Sequence, residues 1–171
     1  EKGSAKVICA ANVICHIEPI HEVVKGVSLL LEEKGVFVFE EPYVIDILEQ
    51  NAYDQIYDEH VWFFCVNSLK NLFARYGLEI FDVHRQSTHG GSMRYYVCRP
   101  GAYPLNEKVT AALAEEKAKG LLELRTYEQF ARNVEKSKEL LVKMLRELKS
   151  QGKRISGYAA SSKGTVVLNY C

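Results

Sequence analysis

Blocks of apolar and polar residues in the first forty positions predict a strand, a helix and a second strand. The runs at 7–11 and 36–39 are apolar throughout, which is typical of buried parallel strands. Between them, apolar side chains recur at helical spacing over residues 21–31, and Gly35 marks the end of that helix. The short connections indicate a βαβ unit and therefore a parallel sheet.

The middle of the chain predicts one more helix and a pair of antiparallel strands. An apolar stripe follows Ser68, a favoured N-cap residue, and ends at Gly77. Residues 78–85 and 92–99 then show strand patterns joined by a short, turn-rich segment. A hairpin at the end of a parallel sheet makes that sheet mixed.

The last third is predicted to be helical before it returns to a strand. An apolar face over residues 127–149 predicts a helix about 35 Å long. Thr126 and Gln129 have the spacing of a capping box at its start. Residues 154–158 predict another strand, and a further helix is expected from about Thr165.

Composition and charge narrow the class of protein. The chain has 171 residues, enough for one ordinary domain or for one and part of another. It is 47% hydrophobic and carries 22 basic and 22 acidic residues, so its formal net charge is zero. This balance argues against nucleic acid or a membrane surface as the main partner. No apolar run approaches the roughly 20 residues that span a bilayer.

The five cysteines predict neither a disulfide framework nor a metal site. Their number is odd and no pair has the C-x-x-C spacing, so we expect no zinc knuckle and no metal ligands in this chain. A reduced compartment, the cytoplasm, is the simplest interpretation. Several cysteines lie in apolar runs and are expected to serve as small buried hydrophobes.

The candidate chemistry begins at Tyr57-Asp58-Glu59-His60. Four consecutive side chains there can donate, accept or carry a proton, and the apolar run 61–64 follows directly. A histidine beside an apolar wall loses its charge more easily and can act as a base. We expect Trp62, Phe63 and Phe64 to form that wall by packing in the core. A structural histidine remains the alternative for His60.

Two further segments contain candidate binding residues. His89-Gly90-Gly91-Ser92-Met93-Arg94 combines paired glycines, where backbone can approach a ligand closely, with an arginine. His89 has the alternative of serving only the hairpin, and Arg94 that of a simple edge charge. Small residues and Lys163 between a predicted strand and a helix N-terminus indicate an anion site, without the glycine spacing of a Walker A loop.

Four segments together resemble the nucleotide-sugar C-methyltransferases. They are Ala11-Asn12-Val13-Ile14-Cys15-His16-Ile17, Tyr57-Asp58-Glu59-His60, His89-Gly90-Gly91-Ser92-Met93-Arg94, and Lys163-Gly164-Thr165 before Leu168-Asn169-Tyr170-Cys171. The resemblance covers essentially the whole chain in the same order. Members of this family use S-adenosylmethionine, and the best-known ones methylate C3 of a dTDP-linked 4-keto-deoxysugar.

The resemblance implies an α/β fold assembled from parts of two domains. Residues 1–100 would form the second half of a class I (Rossmann-like) methyltransferase sheet that ends in an antiparallel hairpin. Residues 101–150 would form a helical connection, and residues 151–171 would begin a second Rossmann-like domain with its first strand. The chain lacks an initiator methionine and stops inside a predicted helix, so we expect a fragment that is inactive alone.

The resemblance also implies the cofactor and the partners. The cofactor would be S-adenosylmethionine, and zinc is expected only in an amino-terminal domain outside this chain. The glycine-rich loop that holds the methyl donor would likewise lie outside it. The partner would be a small-molecule nucleotide sugar, with no nucleic acid and no membrane involved.

The resemblance implies individual roles as well. His60 would be the general base that removes the proton beside the sugar ketone, with Glu59 and Tyr57 positioning the base or the sugar. Asn12 and His16 would hold the ketone region. The family often has histidine where Asp58 stands and a proline near residues 160–162. Two rival functions remain: another small-molecule methyltransferase of this fold, or a non-catalytic nucleotide-sugar-binding protein.

Overall fold

A four-stranded mixed sheet forms the centre of the computed structural model, which describes residues 3–158 and 161–171. The spatial order is β1 (Ala5–Ala11), β2 (Leu31–Pro42), β4 (Ser92–Cys98) and β3 (Glu79–Gln86). β1 and β2 are parallel, whereas β4 is antiparallel to both β2 and β3. The mixed sheet and its terminal hairpin are therefore as the sequence predicts.

Among the described residues, six α-helices surround or extend from this sheet. They are α1 (Ile20–Leu30), α2 (Val44–Glu49), α3 (Val66–Ala74), α4 (Glu107–Ala118), α5 (Leu124–Ser150) and α6 (Ser162–Tyr170). α1 connects the parallel strands β1 and β2, which confirms the βαβ unit. In the part of the chain described, no helix has the length and apolar character needed to cross a membrane.

Stacked aromatic rings form the centre of the core. The Phe37 and Phe39 rings stack at 5.0 Å, and the Phe39 and Tyr95 rings at 4.8 Å. Phe73 of α3 packs against both phenylalanines from one face of the sheet. Offset aromatic pairs of this kind add to the stabilisation that burial of apolar area gives.

One edge of the sheet collects the segments that contain the candidate chemistry. Because β1 and β2 are parallel, their carboxyl ends at Ala11 and Pro42 lie side by side. β4 runs in the opposite direction, so its first residue, Ser92, pairs with Pro42 at the same edge. The loops that follow β1, follow β2 and precede β4 therefore converge there, as expected for open α/β sheets.

A buried carboxylate joins the helical connection to α3 and to Tyr43, the residue after β2. Glu116 on α4 is only 3% exposed. It accepts hydrogen bonds from the main-chain N–H groups of Val66 (2.5 Å) and Asn67 (2.9 Å) and from the hydroxyl of Tyr43 (2.9 Å). It therefore satisfies the free N–H groups at the start of α3 from a different helix.

The strand predicted at residues 154–158 is wrong. Residues 153–158 have no regular secondary structure, and Tyr158 is fully exposed. A strand needs a neighbour for its backbone hydrogen bonds, and none of the described strands lies beside this segment. Ala159 and Ala160, part of the predicted anion loop, lie outside the described residues.

Three predicted helix starts are also shifted, and one of them is that of α6, which begins at Ser162 instead of near Thr165. α3 begins at Val66 with Cys65 as its N-cap, and Ser68 takes the reciprocal third position of the capping box. α5 begins at Leu124 without a side-chain cap, because the Thr126 hydroxyl donates to the Gly120 carbonyl instead. The long helix itself is confirmed, with 27 residues.

Replacing Glu116 should destabilise the protein strongly. Glu116→Ala leaves two buried donors and one partly buried donor without their acceptor, so we expect a loss of about 3 kcal/mol or more in the free energy of unfolding. Glu128→Ala, which removes an exposed carboxylate from α5, is the matched control and should change stability by less than about 0.5 kcal/mol. Thermal and urea denaturation measure both. Equal stability of the two variants would contradict this role.

Candidate active site

A cavity of about 230 Å³ opens at the edge of the sheet where the strand ends converge. Six of the eight residues singled out from the sequence line it. The lining residues are Asn12, Cys15, His16, Pro42, Gln55, Tyr57, His60, His89 and Lys163.

Glu41 shapes the wall that follows β1. Its side chain is fully buried, and Oε1 accepts hydrogen bonds from the main-chain N–H groups of Val13 (3.1 Å) and Ile14 (2.6 Å). These bonds hold a 3-10 turn, Ile14–His16, at the end of the strand. Asn12, just before the turn, adopts a positive φ of 51°. The turn places Asn12, Cys15 and His16 along the cavity.

His60 is held at both ring nitrogens. Nδ1 lies 2.8 Å from the Gln55 carbonyl oxygen, and Nε2 lies 2.8 Å from the Tyr57 hydroxyl. A carbonyl oxygen only accepts, so Nδ1 carries the proton and Nε2 accepts from Tyr57. The ring is therefore arranged as a neutral imidazole with its lone pair on Nε2.

The surroundings of His60 favour this neutral form. Burial lowers its pKa below the ordinary 6.5 and outweighs the hydrogen bond to the Gln55 carbonyl, which raises it. Charge repulsion from Lys163 and from the imidazolium form of His16 lowers the pKa of His60 further, whereas Glu41 raises it. Burial also raises the pKa of Tyr57, so its hydroxyl keeps its proton at neutral pH.

His16 stands beside His60 with one nitrogen engaged. Its Nδ1 donates to the main-chain carbonyl of Glu59 at 2.7 Å, and the two imidazole rings are 4.9 Å apart. In the neutral ring, Nε2 of His16 therefore carries a lone pair. It donates a hydrogen bond only as the imidazolium.

Gln55 is a cavity residue that no sequence pattern indicated. It is 3% exposed, and its carbonyl orients His60 while its Nε2 donates to the His89 carbonyl at 2.8 Å. Because Nε2 must face that carbonyl, Oε1 is the atom left buried without a hydrogen-bond partner among the described residues. A single glutamine between Asp54 and Ile56 gives no periodic or motif signal that would have identified it.

Two predicted site residues are not brought into this cavity. Arg94 forms an ion pair with Glu40 on the adjacent strand, Nη2 to Oε2 at 2.8 Å. Glu59 is exposed and lines a neighbouring cavity of about 690 Å³, together with residues of α6 such as Thr165 and Asn169. Tyr57 lines both cavities, so the two are adjacent.

The apolar wall after His60 is only partly in the core. Phe64 is buried as expected, but the core prediction is wrong for Trp62 (36% exposed) and Phe63 (38% exposed). Trp62 donates its indole N–H to the Ile17 carbonyl at 2.9 Å. Phe63 presents its edge to the His60 ring at 6.2 Å, so it still contributes apolar surroundings to the histidine.

The start of α6, near the carboxyl end of the chain, contributes one residue to the cavity lining. Ser161 caps the helix by accepting from the Gly164 N–H at 3.1 Å, and Lys163 reaches the cavity lining. At the other end of α6, Tyr170 packs against Tyr53, with ring centroids 5.4 Å apart. The last helix is therefore fixed on the loop that contains Tyr57 and His60.

Comparisons with known proteins match both halves of the chain. Residues 1–83 match the model of a family described as a methyltransferase domain, and residues 87–171 match one described as the C-methyltransferase C-terminal domain. The C-methyltransferase NovU of Streptomyces niveus is 36% identical over 170 residues, which are 99% of this chain. The chain spans 40% of that relative's length.

A solved structure is similar in part. It is the magnesium protoporphyrin IX methyltransferase of Synechocystis PCC 6803 with bound SAH. The sequence identity is 11% and the TM-score 0.44, over 58% of this chain and 47% of that one.

Neutralising Glu41 should loosen the turn that contains Cys15 and His16. Hydrogen bonds to an ionised acceptor are about twice as strong as neutral ones, so in Glu41→Gln the amides of Val13 and Ile14 should exchange with solvent about tenfold faster. Glu40→Gln, whose carboxylate faces Arg94 instead, is the control and should leave both rates unchanged. Amide hydrogen exchange measures this, and equal rates in the two variants would rule out the anchoring role.

Proposed function

Because this chain belongs to the C-methyltransferase family, we propose that it provides the acceptor side of a site that methylates carbon in a nucleotide-linked 4-keto-deoxysugar. The methyl donor would be S-adenosylmethionine, which supplies an electrophilic methyl group. The observation that supports this most is a neutral, oriented His60 in a polar cavity with Asn12, His16 and Tyr57.

Methylation at carbon requires a carbanion equivalent, and a ketone makes one available. Removing the proton on the neighbouring carbon gives an enolate. His60 takes this proton at Nε2 once the Tyr57 hydroxyl has turned from that nitrogen towards the substrate. In the resulting imidazolium, Nδ1–H still donates its hydrogen bond to the Gln55 carbonyl. This hydrogen bond becomes stronger as the positive charge develops.

The oxygen of the enolate needs a hydrogen-bond donor. The Asn12 amide, the released Tyr57 hydroxyl and the His16 imidazolium are the donors that line the cavity. For His16 this requires protonation, because its neutral form already uses Nδ1–H on the Glu59 carbonyl. These groups act where charge develops, so they favour the enolate over the ketone.

Two buried oxygens without partners support a sugar rather than an apolar acceptor. Within the described residues, Asn12 Oδ1 and Gln55 Oε1 are buried and accept no hydrogen bond. Both residues line the cavity. An unpaired buried acceptor costs about 1–3 kcal/mol, which a ligand hydroxyl would offset. A deoxyhexose supplies such hydroxyls, and an aliphatic acceptor does not.

The adjacent larger cavity suits the nucleotide. Lys163 and the first residues of α6 offer a point charge and free N–H groups for a diphosphate. Glu59, in the larger cavity, would accept hydrogen bonds from ribose or sugar hydroxyls. Residues 1–100, 101–150 and 151–171 would then be half of the methyltransferase domain, its helical connection and the start of a further domain.

The direct test uses the full-length protein that contains this chain. It is incubated in deuterated water with S-adenosylmethionine and a dTDP-4-keto-2,6-dideoxyhexose, and NMR follows the substrate. We expect deuterium uptake and methylation at C3. Binding without either event would favour the rival function of a non-catalytic nucleotide-sugar-binding protein.

Removing the proposed base should greatly slow both deuterium uptake and methylation. His60→Ala is expected to lower turnover by a factor of about a hundred or more, because general-base catalysis contributes that much, while substrate still binds. His21→Ala is the control, since His21 lies on α1 and contacts Tyr76 instead of the cavity. Wild-type turnover in His60→Ala would refute the assignment of the base.

The pH dependence should reveal the lowered pKa of His60. The base acts unprotonated, so kcat/KM should fall as the pH is lowered, with a midpoint below 6.5, the ordinary histidine value. Lys163→Gln removes a charge that lowers this pKa and should move the midpoint upwards, towards 6.5. A midpoint above 6.5 in the wild type would contradict the assignment.

A further inference from the structure

Three side chains with metal-binding atoms meet in the cavity. Cys15, His16 and His60 each offer one ligand atom, and these atoms all lie within 4.8 Å of one another. The expectation of no metal ligands rested on sequence spacing. Here the third residue comes from a loop more than forty positions away, so spacing alone does not reveal the set.

The separation of these atoms is close to what a zinc ion requires. Zinc binds sulfur and nitrogen ligands at about 2.3 and 2.0 Å in a tetrahedron, so the ligand atoms lie about 3.5 Å apart. Reaching that geometry needs contractions of about 1 Å, which side-chain rotation provides. Cys15 and His16 lie on a short turn and His60 on a loop, and neither segment is held in a strand or α-helix.

Both histidines already have the orientation of metal ligands. A histidine that binds a metal through one nitrogen commonly donates its other N–H to a carbonyl or carboxylate. His16 Nδ1 donates to the Glu59 carbonyl at 2.7 Å and His60 Nδ1 to the Gln55 carbonyl at 2.8 Å. The remaining lone pair of each ring is therefore on Nε2, and in His60 that lone pair accepts a hydrogen bond from the Tyr57 hydroxyl.

We propose that Cys15 Sγ, His16 Nε2 and His60 Nε2 form a binding site for zinc or a similar thiophilic divalent cation. The fourth position faces the cavity and takes water. Binding breaks the S–H bond of Cys15, releases its proton to solvent and forms a metal–thiolate bond. It also displaces the Tyr57 hydroxyl from His60.

Occupancy of this site would block the base. The ion takes the Nε2 lone pair of His60 that proton abstraction requires, so the metal should inhibit methyl transfer. This consequence rests on the proposed function, whereas the metal binding itself does not. The two are therefore measured separately.

Cobalt(II) tests the binding directly in the full-length protein that contains this chain. A cobalt–thiolate bond gives charge-transfer absorption, so we expect wild-type protein to bind one more Co²⁺, with a stronger thiolate band, than Cys15→Ser. Cys9→Ser, which alters an exposed cysteine on β1, is the matched control and should resemble the wild type. Any other metal site of the protein is common to all three.

A second variant, His16→Gln, tests the same site independently in case Cys15→Ser folds poorly. His16→Gln alters an exposed side chain, and it should weaken Co²⁺ binding at this site by at least about tenfold. If the wild type, Cys15→Ser and His16→Gln bind the same number of ions with the same spectrum, the metal site is refuted.

Inhibition is then measured with Zn²⁺ against each variant's own metal-free turnover. We expect the inhibitory concentration to rise at least about tenfold in Cys15→Ser, since one of three ligands is lost. A Cys15-dependent cobalt band without inhibition by Zn²⁺ would support the metal site and contradict the role of His60 as the base.

Discussion

The candidate site depends on one buried carboxylate. Glu41 lies at the carboxyl end of β2 with no exposed surface, and it binds the first two N–H groups of the turn that follows β1. A buried charge is costly unless hydrogen bonds compensate it. Here the bonds to Oε1 join the ends of two parallel strands, whereas Oε2 is buried and accepts no hydrogen bond from the described residues. The positions of the cavity residues from Asn12 to His16 depend on that connection.

Gln55 makes the corresponding connection on the opposite wall. Its main-chain oxygen sets the tautomer of His60, and its side chain reaches the hairpin turn at His89. That turn approaches α2 so closely that a Cβ at Gly91 would lie 2.3 Å from the Asp46 carboxyl carbon. Glycine is therefore required there, for contact with a helix rather than with a ligand.

Local patterns in the sequence predicted most of the sheet and the helices. The βαβ unit, the hairpin and α5 follow from apolar periodicity, which is encoded within each segment. The strand expected at 154–158 failed because strand formation needs a pairing partner, which no local pattern reports. The exposure of Trp62 and Phe63 was missed for a similar reason, since burial depends on what packs against them.

The site was predictable only where residues cluster in sequence. The run from Tyr57 to His60 and the pair of Asn12 and His16 stood out, and the structure brings Tyr57 and His60 together with that pair, whereas Glu59 lines the neighbouring cavity. No role was assigned to Glu41, Gln55 or Cys15 from the sequence, although Cys15 lies in one of the segments that carry the family resemblance. Their importance arises from contacts across the fold, such as that of Gln55 with His89, which the sequence does not display.

The state of the His60 ring is the most direct test of how this site works. Nitrogen-15 NMR of the imidazole, in the full-length protein near pH 7, distinguishes a neutral ring from an imidazolium and locates its proton. We predict a neutral ring with the proton on Nδ1 and an unprotonated Nε2. An imidazolium, or a proton on Nε2, would contradict the role of His60 as the base.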